Sequence, residues 1–136
     1  PQYTSAALVS ENKSLCFPAS ADSIPTSLGQ EDHVSMGSIS GRKALQIIGN
    51  LEQILAIELL CAAQAFDFRR PLRSGPALEA CHAYVRTKID HADKDRIFAD
   101  DIQKAHTIIT ERKLIALTQS EMAQKESPFH VEFENY

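Results

Sequence analysis

The chain has 136 residues, 43% of them hydrophobic and 24% charged, with a formal net charge of −4. That is one domain's worth of chain or a piece of a larger one, long enough to bury a core. No basic cluster points to nucleic acid, and no uninterrupted apolar run approaches the roughly 18 residues that span a bilayer.

Opening on Pro1-Gln2-Tyr3-Thr4 without Met, the sequence is in a helical pattern by Thr4. It is expected to be a piece of a longer polypeptide. No charged start leads into an apolar stretch, so no secretory signal is read. Thr4 to Leu15 reads as a helix with an apolar wall at Ala6, Ala7, Leu8 and Val9. Pro18 stops it, because proline donates no backbone hydrogen bond and disfavours helix at the residue before it. Residues 16 to 30 hold two prolines, one glycine and several Ser, Thr and Asp residues, which is loop composition.

One long helix is predicted from about Asp32 to Phe66, about 50 Å at roughly 1.5 Å per residue. Glu31 and Asp32 suit its N-terminal dipole. Leu45, Ile48, Leu51, Leu55 and Leu59 step by three or four along one face. From Ile54 to Phe66 the charged and amide side chains are only Glu58 and Gln64. A helix apolar nearly all round is surrounded by other helices. This chain has few of them, so part of that shell is expected from further chain or from other subunits.

Pro71 marks a break, and Pro76 suits a first helical position. A helix is predicted over 76 to 89 on the stripe Leu78, Cys81/His82, Val85 and Ile89. His91 to Arg96 reads as a polar turn. Asp100 is a plausible N-cap for a helix from Asp101 to about Lys113, with Ile102, Ala105, Ile108 and Ile109 inward. Leu114 to Met122 continues the helical pattern, and the tail from residue 123 is expected to be extended or loosely ordered. No strand-period stretch appears. The fold class is all-α, with 1–122 the helical region.

Candidate chemistry is sparse. Gln30-Glu31-Asp32-His33 stands at a loop-to-helix junction. A carboxylate there could bind a substrate amine or imidazole or take a proton, and it could equally cap the helix. His33 has no partner at ligand spacing, so no metal site is assigned. Asp90, Asp93 and Asp95 lack the glycine and distal glutamate of a calcium loop. Ser20, Ser23 and Ser27 have no assignable base and read as turn residues. Cys16, Cys61 and Cys81 form no CxxC pair and read as buried, reduced thiols of a cytoplasmic protein.

The run Ser10-Glu11-Asn12-Lys13, then Pro18-Ala19-Ser20 and Asp22-Ser23-Ile24-Pro25-Thr26-Ser27 into Gln30-Glu31-Asp32-His33-Val34-Ser35-Met36-Gly37, closely resembles the histidine ammonia-lyase branch of the aromatic amino-acid lyases. The similarity continues through Asn50 to Leu60 and Ala63 to Arg69, and covers residues 2 to about 112. It implies the C-terminal part of a mostly helical, homotetrameric, cytoplasmic enzyme that converts L-histidine to trans-urocanate and ammonia. It also implies a methylidene-imidazolone (MIO) electrophile formed from an Ala-Ser-Gly, which this chain does not contain. No cofactor-binding residue is therefore assigned here, and the remaining enzyme chain and tetramer subunits become expected partners.

The resemblance makes Glu31 the catalytic and substrate-binding carboxylate, with Gln30 beside it as a second substrate-binding residue. Phenylalanine and tyrosine lyases are similar here but carry Asn-Gln-Asp where this chain has Gln30-Glu31-Asp32. The chain departs from the family at Leu28-Gly29, where Ala-Asn is usual, at Phe17, where His is usual, and at Ser38-Ile39-Ser40-Gly41, where alanines are common. Two rival readings are a non-catalytic helical module that associates through apolar faces, and a related lyase or aminomutase acting on another amino acid.

Overall fold

The computed structural model describes residues 1–19, 21, 24–30 and 37–123. Their order is α1 (Gln2–Leu15), a 3-10 turn (Ser27–Gly29), α2 (Gly37–Asp67), α3 (Pro76–Arg86), α4 (Ala99–Thr110) and α5 (Lys113–Ala123). Among the described residues there is no strand, and Thr26 is an isolated bridge residue. The chain forms two compact units, Pro1–Ile57 and Glu58–Tyr136, and α2 contributes to both.

In the first unit α1 ends as its sequence dictates. The Cys16 N–H closes the last turn onto Asn12, two residues before Pro18. No residue of α1 is buried. Polar side chains tie it to α2 instead. The Glu11 carboxylate accepts from the Asn50 amide at 2.9 Å and the Gln46 amide at 3.3 Å, and the Asn50 amide also donates to Asn12 Oδ1 at 2.9 Å. Lys43 donates to the Phe17 carbonyl and lies over the Phe17 ring.

In the second unit Pro76 opens α3 after Gly75, and Glu79 sits in its first turn. Helix α5 packs on both α3 and α4. Val85, Ile89, Ala105 and Ile108 are buried there. On α2 the buried positions are Ala56, Ile57, Leu60 and Ala63, which recur at helical spacing.

Several expectations change. The third helix ends at Arg86 rather than residue 89, yet Ile89 is fully buried just beyond it, its N–H still bonded to the Val85 carbonyl at 2.9 Å. The fourth begins at Ala99, so Phe98 takes the cap position and Asp100 falls inside the first turn. Asp101 is buried because Arg96 holds it: Nε and Nη2 each lie 2.9 Å from Oδ2. Cys16 and Cys61 are exposed, not buried, and all three cysteines are free. The expected helix start at Asp32 and the tail beyond Ala123 lie outside the described residues.

The stripe Leu45, Ile48, Leu51 and Leu55 stands exposed, while Ala56, Ile57, Leu60 and Ala63 of the same helix are buried. By length and mean hydropathy this helix is long and apolar enough to cross a membrane. A core helix of a soluble protein passes the same test, and α2 carries Arg42, Lys43, Glu52 and Glu58.

Ile108→Ala is expected to lower the stability of the 136-residue chain by about 2–4 kcal/mol through the cavity it leaves. Ile97→Ala, at an 87% exposed position, is expected to change it by less than about 0.5 kcal/mol. Denaturant unfolding of both variants checks the contrast, and equal losses would contradict this core.

Candidate functional site

The stretch leading to Gln30 has an unusual backbone. Ser27, Leu28 and Gly29 all have positive φ, at 54°, 58° and 85°. Left-handed backbone costs an L-residue roughly 1–2 kcal/mol, and only Gly29 escapes that. Two hydrogen bonds close the turn, Gly29 N–H to the Thr26 carbonyl at 3.1 Å and Gln30 N–H to the Ser27 carbonyl at 3.2 Å. Gln30 itself returns to right-handed backbone at φ −71° and is exposed. The Leu28 side chain is also fully exposed, so no burial among the described residues offsets its strain. Glu31, Asp32 and His33 lie outside the described residues, as do Ser20 and Ser23.

A second polar centre, in the other unit, had no signal at the level of sequence spacing. Asp67, the last residue of α2, gathers three donors. Its Oδ1 accepts from His82 Nε2 at 2.7 Å, and its Oδ2 accepts from His91 Nδ1 at 2.7 Å and Arg86 Nη2 at 2.6 Å. Backbone groups decide the proton positions. The Ala92 N–H donates to Gln64 Oε1 at 3.1 Å, so the amide nitrogen of Gln64 must be the group 3.0 Å from the Ala92 carbonyl. That same nitrogen lies 3.1 Å from His91 Nε2, which is therefore the acceptor. The proton of neutral His91 then sits on Nδ1 and points at Asp67. Arg86 also donates to the Ile89 carbonyl at 3.0 Å, which helps hold the turn after α3; its Nε is buried without a partner among the described residues.

Aromatic rings flank this centre. Phe66 stacks on His82 with centroids 4.7 Å apart, and Phe68 meets His91 edge-on at 5.5 Å. Beside it Arg70 forks onto Glu79 at 3.1 and 2.9 Å, while the Ser74 N–H donates to Glu79 at 2.8 Å. Arg70 and that N–H push the Glu79 carboxyl down to about 2, and Glu79 in turn raises the Arg70 guanidinium above its usual value. Partial burial pushes Asp67 up, but the bonds from His91, Arg86 and His82 and the Arg86 charge outweigh it, so the carboxyl stays below 3.8.

Both Asp67 oxygens and the Asp67- and Gln64-facing imidazole nitrogens are committed to internal bonds. Burial raises the Cys81 thiol, which donates to the Leu114 carbonyl. The cluster fastens the chain; it holds no acid–base pair open to a substrate. Among the described residues no group of three His, Cys, Asp or Glu side chains is set to hold a metal ion. Asp93 is exposed, and the Asp90 carbonyl accepts from Arg96 at 2.9 Å. A groove of about 350 Å³ is lined in part by Lys88, Lys104 and Glu111.

A sequence model of the aromatic amino acid lyases matches residues 1–87. The histidine ammonia-lyase of Natranaerobius thermophilus is 54% identical over 115 residues, which are 85% of this chain and 23% of that enzyme. The one from Pseudoalteromonas atlantica is 50% identical over 121 residues, 89% of this chain and 24% of that enzyme. Among solved structures, histidine ammonia-lyase from Trypanosoma cruzi superposes with a TM-score of 0.83 at 40% identity, covering 97% of this chain and 28% of that one. A tyrosine aminomutase from Streptomyces globisporus gives 0.82 at 36% identity, covering 88% of this chain and 23% of that one. The chain thus spans about a quarter of the length of the relatives it matches.

Replacing the Asp67 carboxylate tests the fastening. Asp67→Asn is expected to destabilise the chain by about 2 kcal/mol at neutral pH. A lowered folded pKa adds stability that is complete above the unfolded value and is lost as pH falls through the folded one. The gap between variant and wild type should therefore narrow below about pH 4. Unfolding curves at pH 7 and pH 3 check this, and a gap that widens in acid would contradict it.

Proposed function

This chain belongs to the aromatic amino acid lyase family, and from that premise we propose that it is the C-terminal helical part of an enzyme that eliminates ammonia from L-histidine to give trans-urocanate. The observation that carries the reading is the Gln30-Glu31-Asp32 sequence within a long stretch at about half identity to histidine ammonia-lyases. Glu31 binds and orients substrate, with Gln30 beside it. An ionised carboxylate suits a ring that bears N–H donors and can carry positive charge. Against a phenyl ring it would stay unpaired, at a cost of about 1–3 kcal/mol or more.

The family's electrophile, a methylidene-imidazolone, would activate the substrate toward loss of its amino group. It is made from an Ala-Ser-Gly, which these 136 residues lack, so no residue of this chain forms it. That group belongs to polypeptide outside the 136 residues. The enzyme is cytoplasmic and a homotetramer, and 1–122 is its C-terminal helical region. The exposed stripe Leu45, Ile48, Leu51 and Leu55 supports this assembly, because an apolar face of that extent needs a covering partner.

A second reading, an aminomutase or lyase of another aromatic amino acid, draws on the similarity to a tyrosine aminomutase. Glu31 weighs against it. Screening histidine, tyrosine and phenylalanine with the complete protein separates the two.

In the complete enzyme Glu31→Gln is expected to lower urocanate formation at least tenfold, about 1.4 kcal/mol in the barrier. Wild-type kinetics in that variant would remove Glu31 from the mechanism. The 136 residues alone should give no urocanate from histidine. Ultraviolet assay of the product reads both experiments, and turnover by the short chain would show that it needs no further polypeptide.

A further inference from the structure

Both ring nitrogens of His91 meet fixed partners, and the two partners respond oppositely to a further proton. Nδ1–H donates to Asp67 Oδ2 at 2.7 Å, and Asp67 stays ionised under its three donors. Nε2 accepts from the Gln64 amide nitrogen at 3.1 Å. That amide is fully engaged. One of its N–H bonds goes to His91 and the other to the Ala92 carbonyl, 3.0 Å away, while its oxygen accepts from the Ala92 N–H at 3.1 Å and from Arg86 at 3.5 Å. Turning the amide over would set its oxygen against the Ala92 carbonyl and its nitrogen against the Ala92 N–H and the Arg86 guanidinium. A second proton on His91 therefore sets one N–H against another, and Gln64 has no orientation that relieves it. Asp93 Oδ1 lies 3.9 Å from the same nitrogen, which has a hydrogen to give it only when the ring is protonated. From α3, His82 and Arg86 reach His91 through the shared Asp67 carboxylate. In the turn itself Arg96, paired with Asp101 of α4, donates to the His91 carbonyl at 3.3 Å. Of these groups Asp93 is the acceptor on the Nε2 side.

We infer that His91 is a proton-operated latch on the turn between α3 and α4: the neutral ring lets Gln64 of α2 hold the backbone of Ala92, and a second proton parts Nε2 from Gln64 and hands it to Asp93. The proton comes from solvent and no covalent bond within the chain breaks. Gln64, Asp67, His91, Ala92 and Asp93 all lie in the second unit and among the described residues. Further polypeptide can add to these contacts but does not supply them.

The test is an NMR titration of the full 136-residue chain, labelled with nitrogen-15. Ring nitrogen shifts show when His91 takes its second proton, so the readout is tied to that event. In the neutral ring the proton is expected on Nδ1. As the second proton arrives, the Gln64 side-chain amide and the Ala92 N–H should shift in step with the ring. Exchange of the Ala92 N–H with solvent, corrected for its intrinsic dependence on pH, should quicken about fivefold or more, the scale of one lost hydrogen bond. Gln64→Glu replaces the opposing donor with an acceptor, and there His91 should take the proton about one pH unit or more above the wild type. A neutral ring protonated on Nε2 overturns the inference, as does a Gln64 amide or Ala92 N–H that stays unmoved while His91 titrates. A ring that takes no second proton before the chain unfolds, or a Gln64→Glu variant that titrates with or below the wild type, overturns it too. The wild-type titration decides by itself if Gln64→Glu does not fold.

Discussion

A carboxylate at the C-terminal end of a helix meets the negative end of the helix dipole, where a cation would be preferred. Asp67 occupies that place on α2 and stays ionised because three donors from beyond the helix converge on it. His82 comes from α3, Arg86 from the end of α3, and His91 from the turn that follows. The arrangement is directional. The backbone of Ala92 orients Gln64, Gln64 leaves His91 one proton position, and that proton points at Asp67. Two backbone bonds thus fix a side-chain network whose members lie 15 to 28 residues apart. The turn after α3, with buried Ile89 in it, follows from this fastening as much as from helix propensity.

The helices were legible because each carries a local signal. The apolar wall and Pro18 placed α1, Pro76 placed the start of α3, and the spacing of Ile102, Ala105 and Ile108 placed α4. The errors came where a long-range partner outbid a local preference. Asp100 is a good N-cap residue, but Arg96 draws the neighbouring Asp101 inward and α4 starts two residues earlier, at Ala99. His82 lies on an apolar stripe and looked like filling; its partner is an aspartate 15 residues upstream. No periodicity encodes such a pair. The role proposed for Glu31 rests on resemblance alone, since an acidic residue beside a helical pattern serves caps and sites alike.

Helix α2 shows why burial cannot be read from hydrophobicity alone. Ala56, Ile57, Leu60 and Ala63 are buried, while Leu45, Ile48, Leu51 and Leu55 are exposed. A helix apolar over so much of its circumference is of the kind that neighbours surround. This chain covers part of it, and it spans about a quarter of the length of its relatives. That apolar circumference accounts for the membrane-like hydropathy of a helix that carries two arginine or lysine and two glutamate side chains.

The Asp67 centre and the turn at Ser27–Gly29 are held in different ways. The Asp67 network satisfies nearly every group it contains, so it holds its shape and offers nothing to a ligand. The turn at Ser27–Gly29 is the opposite case. Two backbone bonds close it, two of its three residues bear a conformational penalty, and no described contact compensates. A folding sequence free of other demands would replace Leu28 with glycine or asparagine, or straighten the turn.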